Sequence, residues 1–244
     1  MDAISPDPEF RRLLVTACGS FGVAFSARQI ALLWRHLCLA RAANEAFNLT
    51  RITDSARAAV EHYADSMTLL PWLRERPSTP RRALDVGTGG GWPAVPLAIM
   101  QPEVRWTAID STGKKARFVG EAAAALGLAN FDARQARARE LAGKVEPFDL
   151  VVCRAVGKLP DLVTEVRRLI APGGCFVCYK TPQMSDLERR AGELAARRSR
   201  LETLPEFAID LESDGRVFRR LLVAYAAGPQ AAGDAQRRGG AQAE

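Results

Sequence analysis

From residue 81 onward, short apolar runs of strand length alternate with segments of helical periodicity. The runs fall at 83–86, 104–109, 131–134 and 148–153, and the helical stretches at 93–100, 113–126 and 159–170. This alternation constrains the chain more than any other feature. Consecutive strands joined through a helix must run parallel, and a parallel sheet has to be covered on both faces. The expected fold is therefore α/β, a Rossmann-like, mostly parallel sheet flanked by helices. Pro172-Gly173-Gly174 reads as a turn, and strands at 175–180, 206–211 and 217–225, with a charged helix at 186–201, complete the sheet.

The first 80 residues carry a different pattern. Phe10, Leu13, Leu14, Ala17 and Cys18 repeat at helical spacing, and Ile30, Leu33, Trp34, Leu37 and Cys38 do so again after Ser26-Ala27-Arg28-Gln29, which has the form of a capping box. A third helical stretch covers 55–63, and a charged, proline-bearing linker covers 74–80. The reading is a helical cap over 1–80 and an α/β domain over 81–227. The tail at 228–244, made of Gly, Ala, Gln and Arg without apolar periodicity, is expected to be disordered.

Several classes are set aside by composition. The N-terminus, MDAISPDPEFRRLL, has acids and prolines where a secretory leader would be basic and then apolar, and no later run has membrane-spanning length. A soluble, cytoplasmic protein is expected. The five cysteines include Cys175-Phe176-Val177-Cys178, but in a strand residues three apart face opposite sides, so reduced buried thiols are the reading. With His36 and His62 as the only histidines, no metal site is expected. The net charge of +6 concentrates in residues 81–180, which hold 15 basic and 10 acidic side chains. That bias favours a polyanionic partner.

The stretch "ALDVGTGGGWPAVPLAI", residues 83–99, lies where the first strand turns into the first helix of the sheet, the position at which such folds bind ligands. Two cofactors compete for it. Gly89-x-Gly91-x-x-Ala94 matches a dinucleotide pattern, which leaves a nicotinamide-dependent oxidoreductase as an alternative. S-adenosylmethionine, which carries a sulfonium and an amino-acid end but no phosphate, suits the loop better. Asp85 just before the turn would attract a cation and repel a pyrophosphate, and Pro93 removes an amide that a phosphate would use. Asp110 ends the second strand and is placed to accept bonds from ribose hydroxyls of either cofactor. The strand at 148–153, followed by a helix and Leu169-Ile170-Ala171-Pro172-Gly173-Gly174, resembles the second half of class I methyltransferases.

Taken together, Asn48-Leu49-Thr50, His62-x-x-Asp65-Ser66, "DVGTGGGWPAVPLAI", Asp110-Ser111-x-Gly113-Lys114-Lys115 and Phe148-Asp149 through Arg154-Ala155 resemble the small-subunit ribosomal RNA methyltransferase G family, also called glucose-inhibited division protein B. The resemblance implies a class I S-adenosylmethionine-dependent fold with an N-terminal helical cap. It also implies methylation of guanine N7 in a 16S rRNA loop near the decoding site, on the small ribosomal subunit. A monomer is expected, although the sequence leaves the oligomeric state open. Carried onto this chain, the cofactor residues would be Gly87 and Trp92 in the loop, Ala138 and Arg139 after the third strand and Arg154 after the fourth, beside Asp85, Gly89, Gly91 and Asp110. The chain departs from the family's usual residues at Glu61, Gly90, Trp92, Ala94 and Arg139.

N7 of guanine has a free lone pair at neutral pH, so methyl transfer to it needs alignment and exclusion of water rather than a general base, and no catalytic acid or base is assigned. Cys153 at the end of the fourth strand could serve a C5-cytosine mechanism, but no proline precedes it and no second motif cysteine lies near, so it reads as a buried thiol. Arg154 is assigned to cofactor or phosphate. Lys114, Lys115, Arg117 and Lys180 are read as RNA contacts, the first two because cations opening a helix oppose its dipole unless an external phosphate answers them. His62, Asp65 and Ser66 are read as stitching the cap to the sheet. A non-catalytic RNA-binding or cofactor-sensing module on the same fold is the remaining alternative.

Overall fold

The computed structural model describes residues 5–155, 157–213 and 215–228. Its strands are β1 (Arg82–Val86), β2 (Arg105–Asp110), β3 (Phe131–Gln135), β4 (Phe148–Arg154), β5 (Ile170–Lys180), β6 (Leu201–Thr203), β7 (Phe207–Ser213) and β8 (Arg216–Ala227). They form one sheet in the order β3-β2-β1-β4-β5-β8-β6, with β7 also paired to β8. β1 to β5 are mutually parallel, whereas β8 runs antiparallel to β5, β6 and β7. Strand order reverses between β1 and β4, which opens a crevice at their carboxyl ends.

Both faces of this sheet are covered, as the apolar runs require. On one side, Ala83, Trp106, Leu150, Val177 and Leu222 pack under the N-terminal helices and the helices Ala94–Met100 and Gly113–Leu126. On the other, Leu84, Ile109, Val151, Phe176 and Val223 pack under Leu159–Val166 and Asp186–Arg198. Cys175 belongs to the first side and Cys178 to the second, as strand alternation demands. Cys178 sits opposite Cys153 in the β4–β5 ladder, their sulfurs 3.2 Å apart.

The helix Pro8–Gly19 starts at Asp7, whose carboxylate accepts from the Phe10 amide. The helix Ala27–Asn44 starts at the Ser26–Gln29 capping box anticipated from the sequence. Phe10 joins the two by packing on Trp34 and on Tyr63 of the third helical segment. That segment is longer than expected. It runs over residues 55–74 and is π-helical from Ala59 to Ala64, a local widening that recurs at functional sites. It extends past Tyr63 because Met67, Leu69, Leu70 and Trp72 also find the core.

Two further expectations change. The helix foreseen at 159–170 ends at Val166, and β5 begins at Ile170 and continues through the glycines foreseen as a turn. Pairing to β4 survives there because the register shifts between Phe148 and Leu150, so that Ile170 and Cys175 face residues only two apart. β6 was not anticipated. Three residues with one buried side chain give too weak an alternation to read. Among the described residues no helix is long and apolar enough to cross a membrane. Apart from Gly228, the tail foreseen as disordered lies outside the described residues.

Candidate active site

The loop after β1 is tied to β2 rather than to its own strand. The Gly87 and Thr88 amides both donate to the Ile109 carbonyl, at 2.8 and 3.0 Å. Asp110 closes the arrangement: one oxygen accepts from the Gly89 amide at 3.0 Å and the other from the Thr112 amide at 2.8 Å. Asp110 thus holds two ligand loops together at the carboxyl edge, and only its remaining lone pairs can serve a bound hydroxyl. Gly87, Gly89 and Gly91 have φ of 75°, 57° and 95°. At Gly91 a Cβ would stand 2.8 Å from Val95 Cγ2 and 3.0 Å from His36 Nε2, so the cap itself demands glycine there.

Gly90 and Trp92 explain each other. A Cβ at Gly90 would lie 2.3 Å from the Trp92 ring. The ring is almost fully buried in the cap, stacked on His62 with centroids 4.0 Å apart and edge-on to His36 and Tyr63. The Trp92 side chain is therefore occupied by packing.

Asp85 is different from all of these. Its side chain is fully buried, and neither carboxylate oxygen has a hydrogen-bond partner. Burial raises its pKa to about 7, against the weaker pull of the Thr88 hydroxyl, the Arg154 charge and the Ala94 amide, none of which reaches it in full hydrogen-bond geometry. Buried carboxylates are almost always paired, so an orphaned one facing a glycine loop is suited to a cationic ligand. The ammonium or sulfonium of S-adenosylmethionine meets that description, and a pyrophosphate does not.

Arg154 ends β4 beside this loop, since Val86 pairs with Cys153 in the ladder. Its guanidinium reaches into the cap: Nη1 donates to Asp65 Oδ2 at 2.7 Å and to the Glu61 carbonyl at 3.1 Å, and Nη2 lies 3.2 Å from His62 Nδ1. Arg220 of β8 takes the same carboxylate, with Nε at 2.5 Å and Nη2 at 3.0 Å, and gives Nη1 to the Lys180 carbonyl. Because an arginine can only donate, His62 Nδ1 is an acceptor. The ring therefore carries its proton on Nε2, which donates to Thr50 Oγ1 at 2.7 Å. Burial and the Arg154 charge hold the His62 pKa down to about 2, and burial holds His36 at about 4 against the Gly90 carbonyl. Tyr179 fastens the sheet to the same helix, donating to the Ser66 carbonyl at 2.9 Å. The stitching role read for His62, Asp65 and Ser66 matches these bonds.

The remaining sequence-derived residues are dispersed around the edge. Ala138 is buried at the start of a short helix, and Arg139 beside it is exposed. Lys114 and Arg117 are exposed on the helix that follows β2, with Lys115 half-buried. Lys180 gives its ammonium to Glu188 at 2.8 Å. Cys153 is buried, and its thiol is pushed up by the Cys178 contact and by burial, so no thiolate is available.

Beyond Arg154 opens a cavity of about 500 Å³, in the range of small-ligand sites, between the cap and the ends of β4, β5 and β8. Sequence reasoning missed Ile52, Glu61, Tyr179, Phe218 and Arg220 in its wall. They come from segments far apart in the chain; Glu61 stands out in the sequence as a departure beside the motif histidine but carries no assigned role there, and the other four sit in no motif. Among the described residues, no group of three or more His, Cys, Asp or Glu side chains could hold a metal ion.

The model of the GidB family, described as rRNA small subunit methyltransferase G, matches residues 29–210. Proteins named ribosomal RNA small subunit methyltransferase G resemble the chain. One from Deinococcus radiodurans is 38% identical over 229 residues, 88% of this chain and 85% of that protein. One from Cellvibrio japonicus is 36% identical over 170 residues, 70% of this chain and 77% of that protein. Among solved structures, cofactor-bound Rv0187 from MTB superposes with a TM-score of 0.52 at 22% identity, covering 79% of this chain and 90% of that one. A SAM-dependent methyltransferase from Methanosarcina mazei gives 0.51 at 18% identity, covering 65% and 97%. The fold is that of class I methyltransferases.

Proposed function

The chain belongs to the rRNA small subunit methyltransferase G family, and from that premise we propose that it transfers a methyl group from S-adenosylmethionine to N7 of a guanine in 16S rRNA, in the cytoplasm and as a monomer. The observation that carries the reading is the Asp85 carboxyl beneath the glycine loop, fully buried and without a cationic partner of its own. When bound, the cofactor supplies a methyl carbon activated by sulfonium, which N7 takes with its lone pair while the C–S electrons return to sulfur, so no proton moves in this step.

The chain's own residues have correspondingly simple tasks. Asp85 neutralises the cationic end of the cofactor in a site of low dielectric, where a single charge weighs heavily. Asp110 fixes the loops that follow β1 and β2, offering its spare lone pairs to ribose. Gly87, Gly89 and Gly91 let the main chain approach the ligand, and Ala138 and Arg139 would border it at the end of β3. Arg154, held by Asp65, Glu61 and His62 in the wall of the cavity, would border both reactants. His62 is neutral at any working pH, so it competes for no proton. Lys114, Lys115 and Arg117 would meet phosphates outside the site, with Lys180 at the far rim.

The test is to incubate the protein and labelled S-adenosylmethionine with small ribosomal subunits and with naked 16S rRNA, then to locate the modified nucleotide by mass spectrometry of nuclease digests. One 7-methylguanine is expected. Label on a pyrimidine or an exocyclic amine would overturn the N7 assignment.

A further inference from the structure

β5 ends at Lys180, which pairs with Leu221. The part of β8 that precedes Leu221, residues 216–220, therefore runs on past the sheet's carboxyl edge, paired as a strand among the described residues with β7, from Ser213↔Arg216 to Ile209↔Arg220. This two-stranded arm stands over the cavity beyond Arg154. Side chains two apart on a strand share a face, so Arg220 and Phe218 both point toward the cap. Arg220 grips Asp65, and Phe218 lines the cavity half-buried. A second tie, Ser213 Oγ to Glu61 Oε1 at 3.4 Å, holds the arm's tip to the cap.

The polar groups of this cavity are largely committed inside the protein. Arg154 and Arg220 share Asp65, Lys180 is paired with Glu188, and Glu61 is paired with Arg57. The Tyr179 hydroxyl is spent on the Ser66 carbonyl, and one face of His62 is covered by Trp92. Most of what the cavity still offers an entering molecule is apolar surface, Phe218 and Ile52 included, beside the Thr181 side chain.

We propose that this cavity, whose wall also includes Ile52, receives the target guanine, turned out of its RNA strand, and that Phe218 of the projecting arm is the face on which the base stacks. The inference rests on the methyl-transfer reading above and deepens it. A base swung out of an RNA loop loses its stacking neighbours, and an aromatic side chain in the receiving pocket replaces them. Phe218 also acts on the reaction itself. Forming the N7–C bond while the C–S pair leaves with sulfur turns a neutral guanine into a cation, and an aromatic face attracts a cation more than a neutral ring. The contact therefore strengthens toward the transition state, so its removal lowers turnover as well as affinity. Phe218 lies outside residues 29–210, the stretch that the family model matches.

The experiment compares Phe218→Ala, Phe218→Leu, Phe218→Tyr and Phe218→Trp on small ribosomal subunits. It measures kcat and KM separately, together with the dissociation constant for S-adenosylmethionine and the thermal midpoint of each variant. Wild type must first be seen to form 7-methylguanine; if it does not, the parent reading fails before any variant is compared. With that established, Phe218→Ala and Phe218→Leu should each lose about 10-fold or more in kcat/KM, part of it in kcat. Phe218→Tyr and Phe218→Trp should remain within about threefold of wild type, and cofactor affinity should not move. Leucine preserves the packing of the arm but has no π face, so a fold defect and a stacking defect separate. Full activity in Phe218→Leu, or a loss in Phe218→Tyr equal to that in Phe218→Ala, would overturn the proposal.

Discussion

Asp65 on the cap helix and Asp85 in β1 are both fully buried on the same side of the sheet, with opposite surroundings. Asp65 receives three bonds from two arginines of two different strands. Asp85 has no ion-pair partner, and only the Thr88 hydroxyl and the Ala94 amide stand near it. The first carboxylate is complete without a ligand and joins the cap, β4 and β8; the second is complete only when something binds. Burial alone therefore does not identify a functional acid. What distinguishes the two is whether the protein has supplied the countercharge.

The largest effect should come from breaking the complete one. Asp65→Asn leaves two guanidinium groups, with side chains 12% and 13% exposed, without a countercharge. It should cost about 3–5 kcal/mol in urea unfolding. A loss below about 1 kcal/mol would mean that the clamp does not hold the cap.

Asp85→Asn should behave in the opposite sense. Cofactor affinity should fall by about 10-fold or more, the scale of one charge-assisted bond. Above pH 7 the stability of the free protein should hold or rise, because an unpaired charge has been removed. Calorimetric titration and urea unfolding together decide this, and a large loss of stability would make Asp85 structural after all. The pH dependence sharpens the contrast. With a folded pKa raised to about 7 from an ordinary value of 3.8, Asp85 keeps a proton in the native state that the unfolded chain has released. Its contribution to stability therefore declines as pH rises from about 4 to 7 and levels off above. Cofactor affinity should climb over the same window, as the carboxylate ionises, and the climb should be absent in Asp85→Asn.

Once the cofactor is bound, the site holds no group that needs to change protonation. His62 at about 2, His36 at about 4 and a Cys153 thiol raised by burial all stay neutral. At saturating cofactor the single-turnover rate should vary less than about threefold between pH 6.5 and 9, and Cys153→Ser should keep most of it. A rate rising tenfold per pH unit, with a folded but inactive Cys153→Ser, would point to a thiolate mechanism. The smallest effect belongs to Ala155, which follows Arg154 with φ of 55°. Glycine there should add about 0.5–1 kcal/mol of stability by relieving the left-handed backbone, without altering the Asp65 contacts.

Much of the fold was legible because its signals are local. Gly113–Leu126, the capping box at Ser26 and the alternation that places Cys175 and Cys178 on opposite sides of β5 all depend on residues within a few positions of one another. The placement of the candidate site residues was legible for the same reason: Asp85, the glycines and Asp110 sit at strand ends that the alternation locates. Arg154 was placed correctly at the edge, yet the direction of its guanidinium was not legible, because Asp65 lies 89 residues earlier. Arg220 and Phe218 gave no motif at all.

The sequence by itself determined the layering of helices on a parallel sheet, the position of the ligand loop and the family, since periodicity, turn chemistry and motif spacing are carried by near neighbours in the chain. The tertiary structure alone decided which buried acid is satisfied and which is not, and that the start of β8 overshoots β5 to bring Phe218 over the cavity. Those outcomes depend on strand register and on ion pairs between segments up to 155 residues apart. Such contacts form only when the whole chain has packed, and they leave no periodic mark in any one stretch of it.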